Sequence, residues 1–163
     1  MKKIRTMLVA ATGVAALTLA STTGVASAAG VGLKSYCTDT QAALNAGYSV
    51  LYVPLGGTPF DGTSNDDLII GSGGNDDINA KNGDDIVCGM GGHDEIDGGR
   101  DDDSLFGYSG GDDVDGESGD DYVDGGLNDD ELHGGDGNDV LDGQDGVDTC
   151  NGGLGSDNFI SCS

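Results

Sequence analysis

Every ninth residue from 67 to 157 is an aspartate: Asp67, Asp76, Asp85, Asp94, Asp103, Asp112, Asp121, Asp130, Asp139, Asp148 and Asp157. Two places after each stands an apolar residue, in order Ile69, Ile78, Val87, Ile96, Leu105, Val114, Val123, Leu132, Leu141, Cys150 and Phe159. Placing the aspartate at position six gives eleven consecutive nonapeptides, residues 62–160, with no insertion or deletion. Position one is Gly except for Ala80, and position four is Gly in eight units, with Asn65, Asp101 and Asn128 in the rest. Composition alone, acidic and Gly-rich with few aromatics, would suggest disorder. A solvating tail, however, has no use for an apolar residue held in register with an acid. A helix is excluded, because each glycine would cost it ~1 kcal/mol. What fits is a turn over positions one to six, where glycine permits positive φ, then a three-residue strand over seven to nine with its middle side chain inward. Successive units wind into an all-β parallel solenoid in which unit n lies over unit n+2.

The turns are where the chemistry lies. Carboxylate and carbonyl oxygens are hard ligands suited to calcium, which takes six to eight of them in a flexible shell. Stacked turns bring the position-six aspartates of units n and n+2 to one gap. Glycine at position one (Gly71, Gly89, Gly107), position two (Gly126, Gly135, Gly153) and position four (Gly137, Gly155) lets carbonyls tilt toward it without a Cβ clash. Eleven units leave nine such n, n+2 gaps. The inward row makes only a thin core and the acids repel, so the metal-free coil is expected not to fold, with cation binding supplying the folding energy.

The stretches "GGDGNDVLD" at 134–142 and "GGLGSDNFI" at 152–160 match the pattern GGxGxDxUx in full and resemble the RTX, or haemolysin-type, calcium-binding repeat. The resemblance covers 62–160. It implies a right-handed parallel β-roll with calcium in two rows, held by the position-six aspartates and backbone carbonyls. Two units depart from the pattern: "AKNGDDIVC" at 80–88 lacks the first two glycines, and "GGRDDDSLF" at 98–106 carries Arg100 and Asp101. Weaker binding is expected in those turns. The EF-hand pattern D-x-[DN]-x-[DN]-G-x5-E is absent from the sequence.

Residues 1–28, with Lys2, Lys3 and Arg5 before an apolar stretch that ends Ala26-Ser27-Ala28, read as a secretory signal cleaved after Ala28. A membrane span fits less well, since Thr, Ser and Gly dilute the stretch and no basic stop follows it. Removal leaves three basic against thirty acidic residues, a formal charge of −27. Nucleic acid and anionic lipid surfaces need a basic face and are excluded as partners. Secretion makes two disulfides the expected state of Cys37, Cys88, Cys150 and Cys162. Three pairings are open; the expected one ties Cys37 in the leading segment to Cys88 and closes the last coil with Cys150 and Cys162.

Residues 29–61 read as an N-terminal cap over the first coil, and 161–163 as a tail. Thr38 and Gln41 stand at capping-box spacing before a two-turn helix ending at Gly47, and "YSVLYVP" reads as a strand. His93 and His133 fall on solvent-facing positions, forty residues apart, with no partnered nucleophile. No enzyme is expected, because acid/base catalysis needs a water-excluding pocket and unequal carboxylates. The functional expectation is a secreted, calcium-binding β-roll that presents a rigid extracellular surface. The alternative is a calcium-dependent adhesion or polysaccharide-binding module, with an extracellular polysaccharide or surface protein as partner. A stripe of aromatics would favour the alternative, and Phe106, Tyr108, Tyr122 and Phe159 make no stripe in the sequence.

Overall fold

A computed structural model describes residues 36–163; the signal segment and the first residues of the cap lie outside the described residues. One short helix, α1 (Thr40–Ala46), precedes thirteen strands: β1 (Ser49–Tyr52), β2 (Phe60–Asp61), β3 (Asp67–Ile70), β4 (Asp77–Asn82), β5 (Ile86–Cys88), β6 (Glu95–Arg100), β7 (Ser104–Ser109), β8 (Asp113–Ser118), β9 (Tyr122–Leu127), β10 (Glu131–Asp136), β11 (Val140–Asp145), β12 (Thr149–Leu154) and β13 (Asn158–Ile160). All odd strands form one parallel sheet of seven and all even strands a second of six. The chain alternates between them, making a parallel β-solenoid of about six turns. Partners lie eighteen residues apart, as in Glu95 with Asp113 and Leu105 with Val123. Unit n therefore stacks on unit n+2.

The position-eight side chains from Ile69 to Leu141 meet between the sheets as one buried column. Phe159 departs from the row: it is half exposed, because no unit lies above the last coil. Strands from β6 to β12 are six residues long, twice the expected length. They run through position nine into positions one to three of the next unit, so only positions four to six turn. From the third unit onward position two takes positive φ whatever the residue, with Lys81 at 88°, Tyr108 at 75°, Glu117 at 65° and Gln144 at 65°. Because the twist is identical in stacked units, the parallel ladder continues through it.

The leading segment packs on the outer face of the seven-stranded sheet. Cys37 and Ala43 are buried there with Leu68, Ile70, Ile86, Cys88 and Phe106, while Tyr36, Tyr48 and Val50 pack against the cluster. Strands β1 and β2 extend both sheets into residues before 62. The helix is capped by Asp39 rather than Thr38: the Asp39 carboxylate accepts from the Ala42 N–H at 3.1 Å. Gly47 ends it in the left-handed region as expected, φ 113°. Both expected disulfides are present, with Cα separations of 6.1 Å for Cys37–Cys88 and 5.9 Å for Cys150–Cys162. At the far end Ser163 turns back, its N–H and hydroxyl both donating to the Asp148 carbonyl. That carbonyl would otherwise await a strand of a twelfth unit, as the Asp130 carbonyl takes the Thr149 N–H.

Candidate metal centre

Ten of the eleven position-six aspartates are buried, 0–4% exposed; Asp157, in the last unit, is partly exposed. Each internal one uses its two oxygens differently. Oδ1 reaches back one coil to accept from the N–H of the aspartate eighteen residues earlier, as from Asp94 to Asp76 (2.9 Å), Asp103 to Asp85 (2.8 Å), Asp121 to Asp103 (2.8 Å) and Asp139 to Asp121 (2.9 Å). Oδ2 has no partner in Asp85, Asp94, Asp103, Asp112, Asp121, Asp130, Asp139 or Asp148, nor has Oδ1 in Asp67. Nine buried carboxylate oxygens without a donor would be an anomaly in an ordinary core, where such groups are nearly always bonded. Here they share one place in the repeat.

Position-one glycines show what that place is. A Cβ added at Gly98 would lie 2.7 Å from Asp103 Oδ2 and 3.0 Å from the Gly116 carbonyl oxygen. At Gly89 the corresponding atoms are Asp94 Oδ2 at 2.5 Å and the Gly107 carbonyl at 3.0 Å. Gly71 and Gly107 repeat the arrangement with Asp76 and Asp112. The orphaned oxygen thus faces the carbonyl of the next coil across space that the missing Cβ leaves open. Gly126, Gly135 and Gly153 at position two, and Gly137 and Gly155 at position four, instead sit against the carbonyl of the coil below, of Tyr108, Glu117, Gly135, Gly119 and Gly137 respectively. An internal aspartate accordingly addresses two gaps, Oδ1 below and Oδ2 above.

The first units differ. Thr63 N–H donates to Asp67 Oδ2 at 2.7 Å, and Ser72 gives its N–H to Asp76 Oδ2 (2.6 Å) and its hydroxyl to Oδ1 (3.0 Å). With strands β1 and β2 but no repeat turn beneath, local donors take over. The two departing units keep the turn geometry: Lys81 and Asp101 hold left-handed φ of 88° and 76°, as does Asn128 at 84°. Lys81 is drawn outward to Asp61 at 3.0 Å.

Without a counter-ion the buried carboxylates resist ionisation. Burial pushes Asp103 up to about 9; the Asp85 N–H bond pulls it back, while facing Asp121 and Asp85 raise it further. Asp121 rises to about 8 and Asp85 to about 7, again chiefly through burial, and Asp94 and Asp130 to about 6. Acids at position five add to this: Asp66 and Asp84 act on Asp85, Asp102 and Asp120 on Asp121. His93 acts on Asp94 in the opposite sense. Among the described residues no three Asp, Glu, His or Cys side chains converge as a metal cluster. The converging donors are carboxylate and backbone oxygens, a set that suits a hard cation with many oxygen ligands.

His93 is exposed, and His133 lies on the outer face of the six-stranded sheet, 3.3 Å from Glu131. What sequence reasoning missed is the aromatic grouping. Phe106 packs between Tyr108 and Tyr122 in tilted contacts, with ring centroids 6.3 and 5.9 Å apart, on the outer face of the seven-stranded sheet. Phe159 stands apart at the end. The signal was available, since Phe106 and Tyr122 fall at positions nine and seven of alternate units and so share an outward face.

A parallel solenoid whose stacked turns present orphaned carboxylates to backbone carbonyls belongs to the metal-binding class. Residues 61–96, 89–123 and 124–159 match the RTX calcium-binding nonapeptide repeat (4 copies), and the chain belongs to that family. It is a calcium-binding β-roll. No curated protein and no solved structure matches the chain.

Proposed function

We propose that this is a secreted protein that folds on calcium and presents a rigid surface outside the cell, with no catalytic role. The carrying observation is the row of buried carboxylate oxygens that lack a hydrogen-bond donor and face carbonyls of the next coil. Asp67, Asp76, Asp85, Asp94, Asp103, Asp112, Asp121, Asp130, Asp139, Asp148 and Asp157, with carbonyls of positions one, two and four, would hold the ions. Calcium supplies the positive charge that neutralises these groups and ties coil to coil. Secretion is supported by the basic start, the Ala26-Ser27-Ala28 ending and the two disulfides.

Calcium titration followed by calorimetry and circular dichroism tests the reading. Millimolar calcium should convert an expanded chain into a β-rich one cooperatively, with up to nine ions bound, and magnesium should substitute poorly because it demands tight octahedral geometry. Asp112→Ala should remove about two ions and Asp157→Ala about one. A calcium-free chain that is already compact and β-rich at neutral pH would overturn it.

A second reading, calcium-dependent adhesion to an extracellular polysaccharide or surface protein, is favoured by one observation. A groove of about 370 Å³ beside the aromatic grouping is lined by Met90, Tyr108, Ser109, Gly126, Leu127, Gln144 and Asp145. A glycan binding screen in calcium, repeated with Tyr108→Ala, decides it.

A further inference from the structure

The turns fall on two edges of the roll. Units starting at 62, 80, 98, 116, 134 and 152 turn on the first edge, and those starting at 71, 89, 107, 125 and 143 on the second. Six units leave five gaps on the first edge, and five leave four on the second. The motif does not specify position five, and there the edges part. The first edge carries Asp66, Asp84, Asp102 and Asp120, then Asn138 and Ser156; the second carries Asn75, His93, Gly111, Asp129 and Val147.

These side chains form a ladder of their own. Oδ1 of Asp66 accepts from the Asp84 N–H at 3.2 Å, that of Asp84 from Asp102 at 3.4 Å, that of Asp102 from Asp120 at 2.9 Å, and that of Asp120 from Asn138 at 2.8 Å. Asparagine does the same work: Asn138 accepts from Ser156 N–H at 3.2 Å, and on the second edge Asn75 accepts from His93 N–H at 3.0 Å. The ladder therefore needs an oxygen acceptor at position five but not a charge. Four stacked acids carry charge that the hydrogen bonds do not require. Each stands next to a buried position-six aspartate, and those of Asp85, Asp103 and Asp121 have an orphaned Oδ2. Asp101, at position four of the same edge, adds a further acid, and its Oδ2 accepts from the Gly83 N–H at 3.3 Å.

We infer that the two calcium rows are unequal: the three gaps of the first edge flanked by two position-five acids, those between the units starting at 62, 80, 98 and 116, form a tight class set by Asp66, Asp84, Asp102 and Asp120, and the four gaps of the second edge, none with more than the single acid Asp129, belong with the remaining first-edge gaps to a weaker one. This rests on the calcium reading above. It also reverses the ranking expected from the motif, since units 80–88 and 98–106, which depart most from the repeat, both lie on the first edge. Lys81 and Asp101 keep the left-handed backbone in place of glycine, and in these two units the acids Asp84, Asp101 and Asp102 outnumber Arg100 and Lys81, the latter drawn outward to Asp61, so the field at the gap stays negative.

Chelator-induced calcium release from the folded, calcium-loaded protein, read by stopped flow with a calcium dye, separates the classes. Wild type should release calcium in two phases, the slow one comprising about three ions and the fast one about six. Asp84→Asn, Asp102→Asn and Asp120→Asn together keep the ladder acceptors and remove three charges; the slow phase should quicken roughly tenfold, with the fast phase unchanged. Raising potassium chloride should narrow the gap between phases, because the effect is a screened field. The reciprocal pair Asn75→Asp and His93→Asp should slow the fast phase, and keeps the proposal testable if the triple variant fails to fold. A single phase in wild type, or a triple variant that releases calcium as wild type does, overturns the inequality while leaving calcium binding standing. A chain that binds no calcium at all overturns the underlying reading instead.

Discussion

The two sheets of the roll are built from the same nonapeptide, yet over the first coils their outer faces differ in kind. On the seven-stranded sheet, outward positions seven and nine begin Leu68, Ile70, Ile86, Cys88, Ser104, Phe106 and Tyr122 before turning acidic at Asp124 and Asp142, and the helix with Tyr36 and Tyr48 packs on the apolar part. On the six-stranded sheet, position seven stacks Asp77, Glu95, Asp113 and Glu131 in one row, and position nine places Asp97 beside Asp115. Burial, then Glu117 and Asp115, push Asp97 up to about 6. The inward columns, by contrast, are interchangeable between sheets. Stacking n on n+2 sorts odd from even units, so a period of nine governs the core and the turns while a period of eighteen governs what each face shows. A face of stacked like charges is destabilised, whereas the opposite face gains the cap contact and a disulfide.

The largest test of this contrast removes apolar contacts from one face only. Phe106→Ala should cost about 3–5 kcal/mol in urea denaturation of the calcium-loaded protein. An equal loss from Asp97→Ala would break the claim that the faces are energetically distinct. Next, Cys37→Ser with Cys88→Ser should lower stability by about 2–5 kcal/mol and loosen the cap, seen as faster proteolysis within residues 36–48. The shorter Cys150–Cys162 loop should cost less when opened. On the acidic face the expected sign is opposite: Glu95→Gln, which relieves two like neighbours, should stabilise by about 0.2–1 kcal/mol, more at low salt than at high.

Acidity sharpens the comparison further. Folded-state values of about 6 to 9 for Asp85, Asp94, Asp103, Asp121 and Asp130, and about 6 for Asp97, lie above the ordinary carboxylate value near 4. The metal-free roll therefore holds more protons than the unfolded chain. Its stability is greatest below pH ~4 and is lost as pH rises through about 6 to 9. Metal-free protein should gain β signal in circular dichroism on acidification, and calcium affinity should fall over the same window as protons compete.

Much of this molecule is legible before folding. The repeat of Asp and an apolar residue two places on determined the coil, the inward column and the stacking of n on n+2, because each follows from local spacing repeated without interruption; the disulfide pairs formed as expected, but the repeat did not determine them, since Cys37 lies outside it. Strand length was misjudged: left-handed residues at position two read as the end of a strand, whereas identical neighbours above and below carry the ladder past them. Asp39 took the helix cap from Thr38 because hydrogen-bond geometry, not spacing, decides which oxygen reaches Ala42 N–H. Three features needed the tertiary structure. The orphaned Oδ2 atoms exist only once Oδ1 is taken by the coil below. The aromatic group forms only when Phe106 and Tyr122, sixteen residues apart, come to adjacent strands. The position-five ladder divides the two edges only when residues eighteen apart are brought within hydrogen-bonding distance. Local sequence sets the conformation of each turn; which side chains then meet is set by stacking, and the repeat leaves positions five, seven and nine free to differ.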